Sequence, residues 1–137
     1  MSRQEVEAFF VAYRDAFNSL GCDAVAELWH VPSGITDRHT TTWWAEDAPM
    51  RANHRALCEI YSGLNYGRAD HQITAFHPLG ADHAFADVRW TLRRQDGSVL
   101  QRFGTGYQLV RGEHGPQVLL CTAYEEDYKE MTPHAAE

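Results

Sequence analysis

The sequence contains no run of about 20 apolar residues, which is the length that a membrane-spanning helix requires. It also lacks a secretory signal pattern, because Met1–Glu5 is polar and leads directly into a helical pattern. These two absences argue against a membrane protein and against a secreted protein. We therefore expect a cytoplasmic protein without a membrane partner.

Cysteine is scarce and odd in number, since the chain has only Cys22, Cys58 and Cys121. No two of them stand in a C-x-x-C motif. An odd count without that spacing argues against a disulfide framework and against a zinc knuckle. We predict that the cysteines are buried free thiols in a reducing compartment.

Basic residues are outnumbered, with 12 Lys and Arg against 19 Asp and Glu and a formal net charge of −7. A nucleic-acid-binding protein usually shows a basic patch. The densest basic positions here are Arg89, Arg93 and Arg94 on one predicted strand. On the outward face of a sheet such side chains commonly meet solvent or the acids of a partner, so we predict no nucleic-acid partner.

The length of 137 residues fits one domain, and a hydrophobic content of 44% suffices for a core. The chain shows no internal repeat, no low-complexity segment and no linker. We treat residues 1–137 as a single domain and expect 128–137 to form a loose tail.

The second half of the chain, from Arg68 to Asp127, has the pattern of long antiparallel strands joined by tight turns. Within it, Asp82–Arg94 alternates with a period of two, which predicts a strand with one buried face. The predicted inward residues are Ala84, Ala86, Val88, Trp90 and Leu92. The Asp-Gly pair at Asp96–Gly97 follows this strand and predicts a hairpin.

Two further strands are predicted at 99–111 and 118–126, with a turn at 112–116 between them. Their predicted inward residues are Val99, Phe103, Tyr107 and Leu109, and then Val118, Leu120, Thr122 and Tyr124. The apolar residues on the opposite side are Phe85, Leu100, Val110 and Leu119. Because a monomer seldom exposes a large apolar patch, we predict a homodimer that forms through the outer face of the sheet.

The first half of the chain predicts three helices. Ser2 and Glu5 form a capping box at the start of the first helix. Its apolar stripe consists of Val6, Phe9, Phe10, Tyr13, Phe17 and Leu20. A short second helix is predicted at 23–29 and is broken by Pro32–Gly34.

The third helix is predicted from Asp47, with Asp47 as its cap and Pro49 in its first turn, to about Ser62. Between the second and third helices, Ile35–Thr42 is rich in β-branched residues and predicts a strand or an extended segment. The adjoining Trp43–Trp44 pair is interpreted as part of a loop.

Helices followed by strands predict an α+β fold with three helices on one face of a curved antiparallel sheet. Such a sheet diverges from its helices and leaves an internal apolar pocket between the two layers. The residues predicted to line this pocket are Phe17, Trp29, Trp43, Leu57, Tyr61, Trp90, Phe103, Thr105, Tyr107 and Tyr124.

The segment Phe17–Trp29 has the order of a helix, a glycine followed by an acid, and a helix that ends in leucine and an aromatic residue. With this segment, its order of elements and its terminal hairpin, nearly the whole chain resembles the nuclear-transport-factor-2-like superfamily. That superfamily includes ketosteroid isomerases, SnoaL-type polyketide cyclases and dehydratases. The resemblance implies a cone-shaped curved sheet over three helices, a cystatin-like arrangement.

The resemblance also implies catalytic positions. Tyr13 lies where ketosteroid isomerases place a hydrogen-bond-donating tyrosine, and Asp37 lies where they place the general-base carboxylate. His39 shares a face with Asp37 if that segment is a strand, because residues i and i+2 point the same way. The chain departs from the isomerases at 103–107, which contains no acid, and at Arg38, whose charge would lower the pKa of Asp37.

Each of these positions has a structural alternative. Asp37 can cap a turn or pair with Arg38, and Tyr13 can be a core residue of the first helix. An inward-facing Asp37 on a strand would also place His39 in the pocket. A shift of one residue would place Thr36 and Arg38 there instead.

The eight histidines show no metal-ligand spacing on any one predicted element. A metal site needs three or four converging ligands, and the sequence shows no such set. Gly104 and Gly106 alternate on one face of a strand and indicate a bend or a close approach by another backbone. We predict no metal and no cofactor.

Two functions follow from these observations. We favour a binding or scaffold protein that takes a small hydrophobic molecule into the pocket. The alternative is an isomerase or lyase that acts on a hydrophobic carbonyl compound, with Asp37 as base and Tyr13 as donor. Binding is favoured because the third acid of the isomerases is missing and because Arg38 adjoins Asp37.

Overall fold

The computed structural model describes residues 1–127 and shows three helices against one face of a six-stranded sheet. The helices are α1 (Arg3–Asn18), α2 (Cys22–Ala26) and α3 (Asp47–Ser62). The strands are β1 (Trp29–Thr36), β2 (Thr41–Trp44), β3 (Tyr66–Leu79), β4 (His83–Arg94), β5 (Val99–Gly112) and β6 (Gly115–Asp127). The tail predicted at 128–137 lies outside the described residues. None of the helices in the described part has the length and apolar character needed to cross a membrane.

The strand order across the sheet is β2-β1-β6-β5-β4-β3. The four long strands form the predicted antiparallel meander, so the α+β prediction is confirmed. One pair departs from it, because β1 lies parallel to β6. Parallel neighbours need a long crossover connection, and the whole chain between these two strands provides one. The sheet is therefore mixed, and the prediction of a purely antiparallel sheet is wrong at this pair.

Helix α1 forms as the sequence predicts. The Ser2 side chain accepts a hydrogen bond from the Glu5 backbone N–H, and the Glu5 side chain accepts one from the Ser2 backbone N–H, each at 3.1 Å. This reciprocal pair satisfies two N–H groups that a helix start would leave unpaired. The buried residues of α1 are Val6, Phe9, Phe10, Tyr13 and Phe17. The helix thus packs its aromatic stripe against the sheet.

The prediction for the segment after α1 is wrong in two respects. Helix α2 ends at Ala26, and Trp29 begins β1 instead of ending a helix. Pro32–Gly34 is part of strand β1, so the strand continues through these residues. Between the pairs Trp29–Val118 and Gly34–Leu120, β1 uses more residues than β6, so β1 bulges there. Proline is tolerated at such a bulge because it has no ladder hydrogen bond to donate.

The two neighbouring tryptophans belong to strand β2 and not to a loop. Successive strand residues point to opposite sides of the sheet. Trp44 accordingly points to one side of the sheet and is buried, whereas Trp43 points to the other side and is 55% exposed. Trp44 packs edge-on against Trp29, with 6.2 Å between the ring centroids.

Helix α3 begins at Asp47, has Pro49 in its first turn and ends at Ser62, as predicted. Its capping residue is Glu46 and not Asp47, and the Glu46 side chain makes no capping hydrogen bond. Asp47 instead accepts a hydrogen bond from Arg51, one turn further along the helix, at 2.7 Å.

The prediction for β4 is confirmed, because all five of its inward residues are at most 4% exposed. The prediction for β5 is wrong at Leu100. Leu92 pairs with Gln101 and Arg93 pairs with Val99, so Leu100 is an extra residue in a bulge. Leu100 is fully buried, and it does not contribute to the outer face.

A second bulge lies at Leu119 in β6, where Leu109 pairs with Val118 and Gln108 pairs with Leu120. An extra residue reverses the alternation of a strand. Beyond Leu119, Cys121 and Ala123 therefore point toward the helices. The residues that turn outward, against the prediction, are Leu120, Thr122 and Tyr124.

The outer face of the sheet carries Tyr124 and Phe85 above the two glycines of β5. A Cβ atom at Gly104 would lie 2.5 Å from Cζ of Tyr124, and one at Gly106 would lie 3.2 Å from Phe85. The atoms that approach these glycines closely belong to side chains and not, as was predicted, to another backbone. The homodimer through this face stays a prediction, and Leu100 no longer supports it.

Cys22 and Cys58 form a disulfide that joins the start of α2 to α3. Their Cα atoms are 6.2 Å apart, within the usual range for a disulfide. The prediction that the cysteines are not disulfide-bonded is wrong for this pair and confirmed for Cys121, which is a buried thiol outside any disulfide. The two half-cystines are 36 positions apart, and no local motif relates them.

We expect thiol titration of the unfolded, unreduced protein to find one reactive thiol, that of Cys121. Reduction should then lower the free energy of unfolding by about 4 kcal/mol, because it releases a loop of roughly 36 residues. Denaturant unfolding of the oxidised and reduced forms measures this difference. Three reactive thiols before reduction, in protein purified without reductant, would contradict the disulfide.

Candidate functional site

A cavity of about 150 Å³ lies between helices α1 and α3 and the inner face of the sheet. The predicted residues that line it are Tyr13, Phe17, Trp29, Leu57, Tyr61, Trp90, Phe103, Thr105 and Tyr107. Lining residues that were not predicted are Ile35, Asn53, His54, Leu92, Gln101, Cys121 and Ala123. The structure thus brings together side chains from both helices and from four strands.

The cavity has a buried floor and a more exposed mouth. Tyr13, Trp90 and Tyr107 are each at most 8% exposed and form the floor. Asn53 on α3 is exposed, and Phe103 on β5 is partly exposed. The cavity therefore opens beside α3, and its floor is shielded from solvent.

Two indole–hydroxyl pairs form the polar part of the floor. Trp29 Nε1 donates to the Tyr13 hydroxyl oxygen at 3.2 Å, and Trp90 Nε1 donates to the Tyr107 hydroxyl oxygen at 3.0 Å. An indole offers only a donor, so a buried tryptophan needs such an acceptor. The Tyr13 and Tyr107 rings meet edge to face, with 5.9 Å between their centroids.

Both floor tyrosines keep their protons at neutral pH. Burial raises the pKa of Tyr13 above its ordinary value, and the nearby Cys121 thiol adds to the increase. Burial likewise raises the pKa of Tyr107, and the neighbouring Tyr13 adds to the increase. The two hydroxyls thus leave the cavity uncharged.

His54 lines the cavity as a neutral base. Its Nδ1 atom lies 2.9 Å from the Met50 carbonyl oxygen, one turn earlier on α3. A carbonyl only accepts, so Nδ1 carries the proton and Nε2 keeps a lone pair. Burial lowers the pKa of His54 and favours this neutral form. The imidazole lies edge-on to Trp29, with 4.7 Å between the ring centroids.

Among the lining residues in the described part of the chain, none carries a charged side chain. The remaining buried polar pair is also neutral, since the Tyr61 hydroxyl donates to Gln101 Oε1 at 2.9 Å. Among residues 1–124, whose side chains the structure describes, no group of three or more His, Cys, Asp and Glu could hold a metal ion. The site therefore consists of apolar surface and neutral hydrogen-bonding groups.

Asp37 and His39 lie in the turn between β1 and β2, apart from the residues that line the cavity. The Asp37 carboxylate accepts hydrogen bonds from the backbone N–H groups of His39 at 2.8 Å and Thr40 at 2.9 Å. These bonds lower the pKa of Asp37, and the nearby charge of Arg38 lowers it further. His39 is exposed, and its Nε2 accepts a hydrogen bond from Arg38 Nε at 3.0 Å. The structure therefore places Asp37 as a turn-stabilising acid.

Two residues predicted for the pocket lie elsewhere. Trp43 is exposed, and its ring lies against Gly34 of β1 on the side of the sheet away from the cavity. The Tyr124 hydroxyl donates to the Asp87 carboxylate on the outer face of the sheet. The strand alternation of β2 turns Trp43 away from the cavity, and the bulge at Leu119 turns Tyr124 away.

Some of the missed residues carried a signal in the sequence. His54 lies four positions after Met50, on the same face of an amphipathic helix, so its burial follows from helical spacing. Cys121 and Ala123 carried none, because the bulge that turns them inward, at Leu119, has no glycine or proline beside it. Ile35 was assigned to a segment whose face the pattern did not decide.

Comparison with known proteins agrees with this architecture. A family model described as "NTF2-like protein (DUF6841)" matches residues 4–126. No curated protein matches the sequence significantly.

Several solved structures share the fold. An NTF-2-like protein of unknown function from Shewanella oneidensis MR-1 has a TM-score of 0.73 and 12% identity, covering 90% of this chain and 98% of its own. A ketosteroid isomerase-like protein from Erwinia carotovora atroseptica has a TM-score of 0.65 and 18% identity, covering 85% and 90%. A putative dehydratase from Streptomyces avermitilis has a TM-score of 0.66 and 11% identity, covering 88% and 92%. At these identities the likeness concerns the fold alone.

The placement of Asp37 leads to a prediction about stability. Asp37→Ala removes the acceptor of two backbone N–H groups and should lower the midpoint of thermal unfolding. Asp37→Asn keeps an acceptor oxygen, so its midpoint should fall much less. Because the folded-state pKa of Asp37 lies below its usual 3.8, the contribution of the charge is complete above that pH and is lost as the pH falls through the lowered pKa.

Thermal unfolding of both variants and the wild type, measured between about pH 2 and pH 7, checks this prediction. The difference between wild type and Asp37→Asn should shrink toward the acidic end. A neutral-pH midpoint for Asp37→Ala equal to that of the wild type would contradict the assignment.

Proposed function

Since the chain belongs to the NTF2-like family DUF6841, we propose that it binds a small, uncharged, largely apolar molecule in the cavity between its helices and its sheet. The observation that carries this proposal is the lining of the cavity. Aromatic and aliphatic side chains surround it, and a few neutral polar groups converge on it. This composition is typical of small-molecule sites in proteins.

The absence of lining charges decides the charge of the ligand. An ion transferred from water into an apolar cavity loses several kcal/mol of hydration free energy unless an opposite charge meets it. Neither an acid nor a base with a full charge lines this cavity in the described chain. A neutral molecule is therefore the ligand that the site favours.

The volume of the cavity limits the size of the ligand. A dry apolar cavity of about 150 Å³ holds a single benzene ring, whereas sites for drug-sized molecules measure roughly 300–1,000 Å³. The cavity measured here is about 150 Å³. The matching ligand has one ring or an aliphatic skeleton of similar size, and a four-ring steroid exceeds this space.

Binding is favoured over isomerase or lyase chemistry that uses Asp37 as its base, for a specific reason. Proton abstraction next to a carbonyl needs a base within hydrogen-bonding reach of the substrate. Asp37, the carboxylate that the isomerase reading requires, lies in the hairpin turn with its oxygen engaged by two backbone N–H groups. Tyr13 remains at the cavity floor, where it supports binding as well as it would support catalysis.

We expect toluene to bind the wild-type protein and Leu57→Trp to abolish binding, because the indole fills the mouth of the cavity. At roughly 0.7 kcal/mol per non-hydrogen atom, a seven-atom ligand binds with a Kd on the order of 0.1–1 mM. Ligand-detected NMR and calorimetry measure this affinity. Benzoate, which has a similar ring and a negative charge, should bind far more weakly.

Ile60→Trp is the matched control, because Ile60 lies on the same helix, is 54% exposed and does not line the cavity. This variant should bind toluene as the wild type does. Equal toluene binding by Leu57→Trp and wild type would place the ligand elsewhere and refute the proposal. So would the absence of binding for every neutral one-ring compound.

A further inference from the structure

His54 lines the cavity and offers it a strong hydrogen-bond acceptor. The residue is 3% exposed, and its hydrogen bond to the Met50 carbonyl occupies Nδ1 alone. Nε2 is the other ring nitrogen. Among residues 1–124, whose side chains the structure describes, no hydrogen-bond donor is paired with this atom.

An acceptor that lines a cavity loses its hydrogen bond to water when an apolar ligand displaces that water. A ligand that donates to the acceptor replaces the hydrogen bond, whereas an apolar ligand of the same shape does not. Sites that offer a polar group to a ligand therefore discriminate strongly against the analogue that lacks the matching group.

From this arrangement we propose that His54 Nε2 accepts a hydrogen bond from the ligand, and that the cavity selects one-ring molecules bearing a hydroxyl or N–H group, of which phenol is the simplest. This inference rests on the proposed binding function and adds to it the chemical class of the ligand. It assigns His54 a binding role that the sequence pattern did not indicate.

Two neighbouring groups support the polar assignment. Trp29 contacts both His54, whose ring centroid is 4.7 Å away, and Tyr13, which accepts the Trp29 indole N–H at 3.2 Å. His54 and Tyr13 thus lie against the same indole. The ring of a phenol would occupy the apolar remainder, beside Leu92 and Phe103.

The tautomer of His54 suits this role. The Met50 carbonyl holds the proton on Nδ1, so Nε2 is an acceptor and not a donor. Burial lowers the pKa of His54, which keeps the lone pair available at neutral pH. A protonated imidazole would offer a second N–H instead and would reject a hydroxyl hydrogen.

Phenol and toluene have the same number of non-hydrogen atoms, so the ratio of their dissociation constants isolates the hydroxyl group. We expect the wild type to prefer phenol, and His54→Phe to reduce the preference by about tenfold, the effect of one buried hydrogen bond. His54→Gln, which keeps an acceptor on a side chain of similar reach, should restore part of the preference. Calorimetry with both ligands measures the ratio for each variant.

Leu57→Ala serves as the control, because it alters an apolar lining residue and should change both dissociation constants by a similar factor. A phenol-to-toluene ratio that is the same in wild type and His54→Phe, with both ligands bound, would overturn the role of His54 and leave the binding function standing. If neither ligand binds the wild type, the proposed function itself fails and this inference fails with it.

A measurement on the wild type tests the proposal even if a variant does not fold. Nitrogen-15 NMR of the imidazole reports directly on Nε2. Phenol should shift the Nε2 resonance of His54 in the direction expected for an accepted hydrogen bond, and toluene should not. Equal shifts with the two ligands would refute the proposal.

Discussion

The fixed positions of the buried aromatic rings are the constraint on which the rest of this structure depends. The stripe of α1 packs against the inner faces of β4 and β5, with 4.9 Å between the ring centroids of Phe10 and Tyr107. The two lining indoles must find acceptors for their N–H groups, and Tyr13 and Tyr107 provide them. Collapse of these rings into the cavity would break those hydrogen bonds, each worth about 1–3 kcal/mol when a buried group is left unpaired. The cavity thus persists beside a dense core.

Much of the fold could be predicted because the governing interactions are local. The α1 stripe and the capping box depend on spacings of three and four residues. The alternation of β4 is uninterrupted, so its inward face was assigned correctly. The pocket residues on α1, α3 and β4 follow from these two periodicities.

The other parts of the fold and of the site could not be predicted, because they depend on long-range pairing or on irregular features of the strands. A single-residue bulge buries Leu100 at the start of β5, and another at Leu119 reverses the faces of β6 beyond it; neither has a marker in the sequence. Trp29 fits the apolar face of a helix as well as the start of a buried strand, and only its pairing with Val118 decides between them. Asp37 stands among β-branched residues typical of a strand, yet the hydrogen bonds that its carboxylate accepts from the backbone stabilise a turn.

Helix α3 connects the disulfide to the site. Cys58 fastens this helix to α2, and ion pairs of Arg51 with Glu27 and Arg55 with Asp23 join the same two helices. The exposed ion pairs contribute little to stability, so the covalent link is the main restraint between them. Because His54 lies one turn before Cys58, that restraint also fixes the imidazole against Trp29.

The central claim is that an apolar cavity between helices and sheet admits a small neutral molecule. A crystal structure of the protein under xenon pressure tests it most directly, because xenon occupies dry apolar cavities of this size. The account predicts xenon density in contact with Trp90, Leu92 and Tyr107. A cavity filled by repacked side chains or by ordered water, with no xenon density, would contradict it.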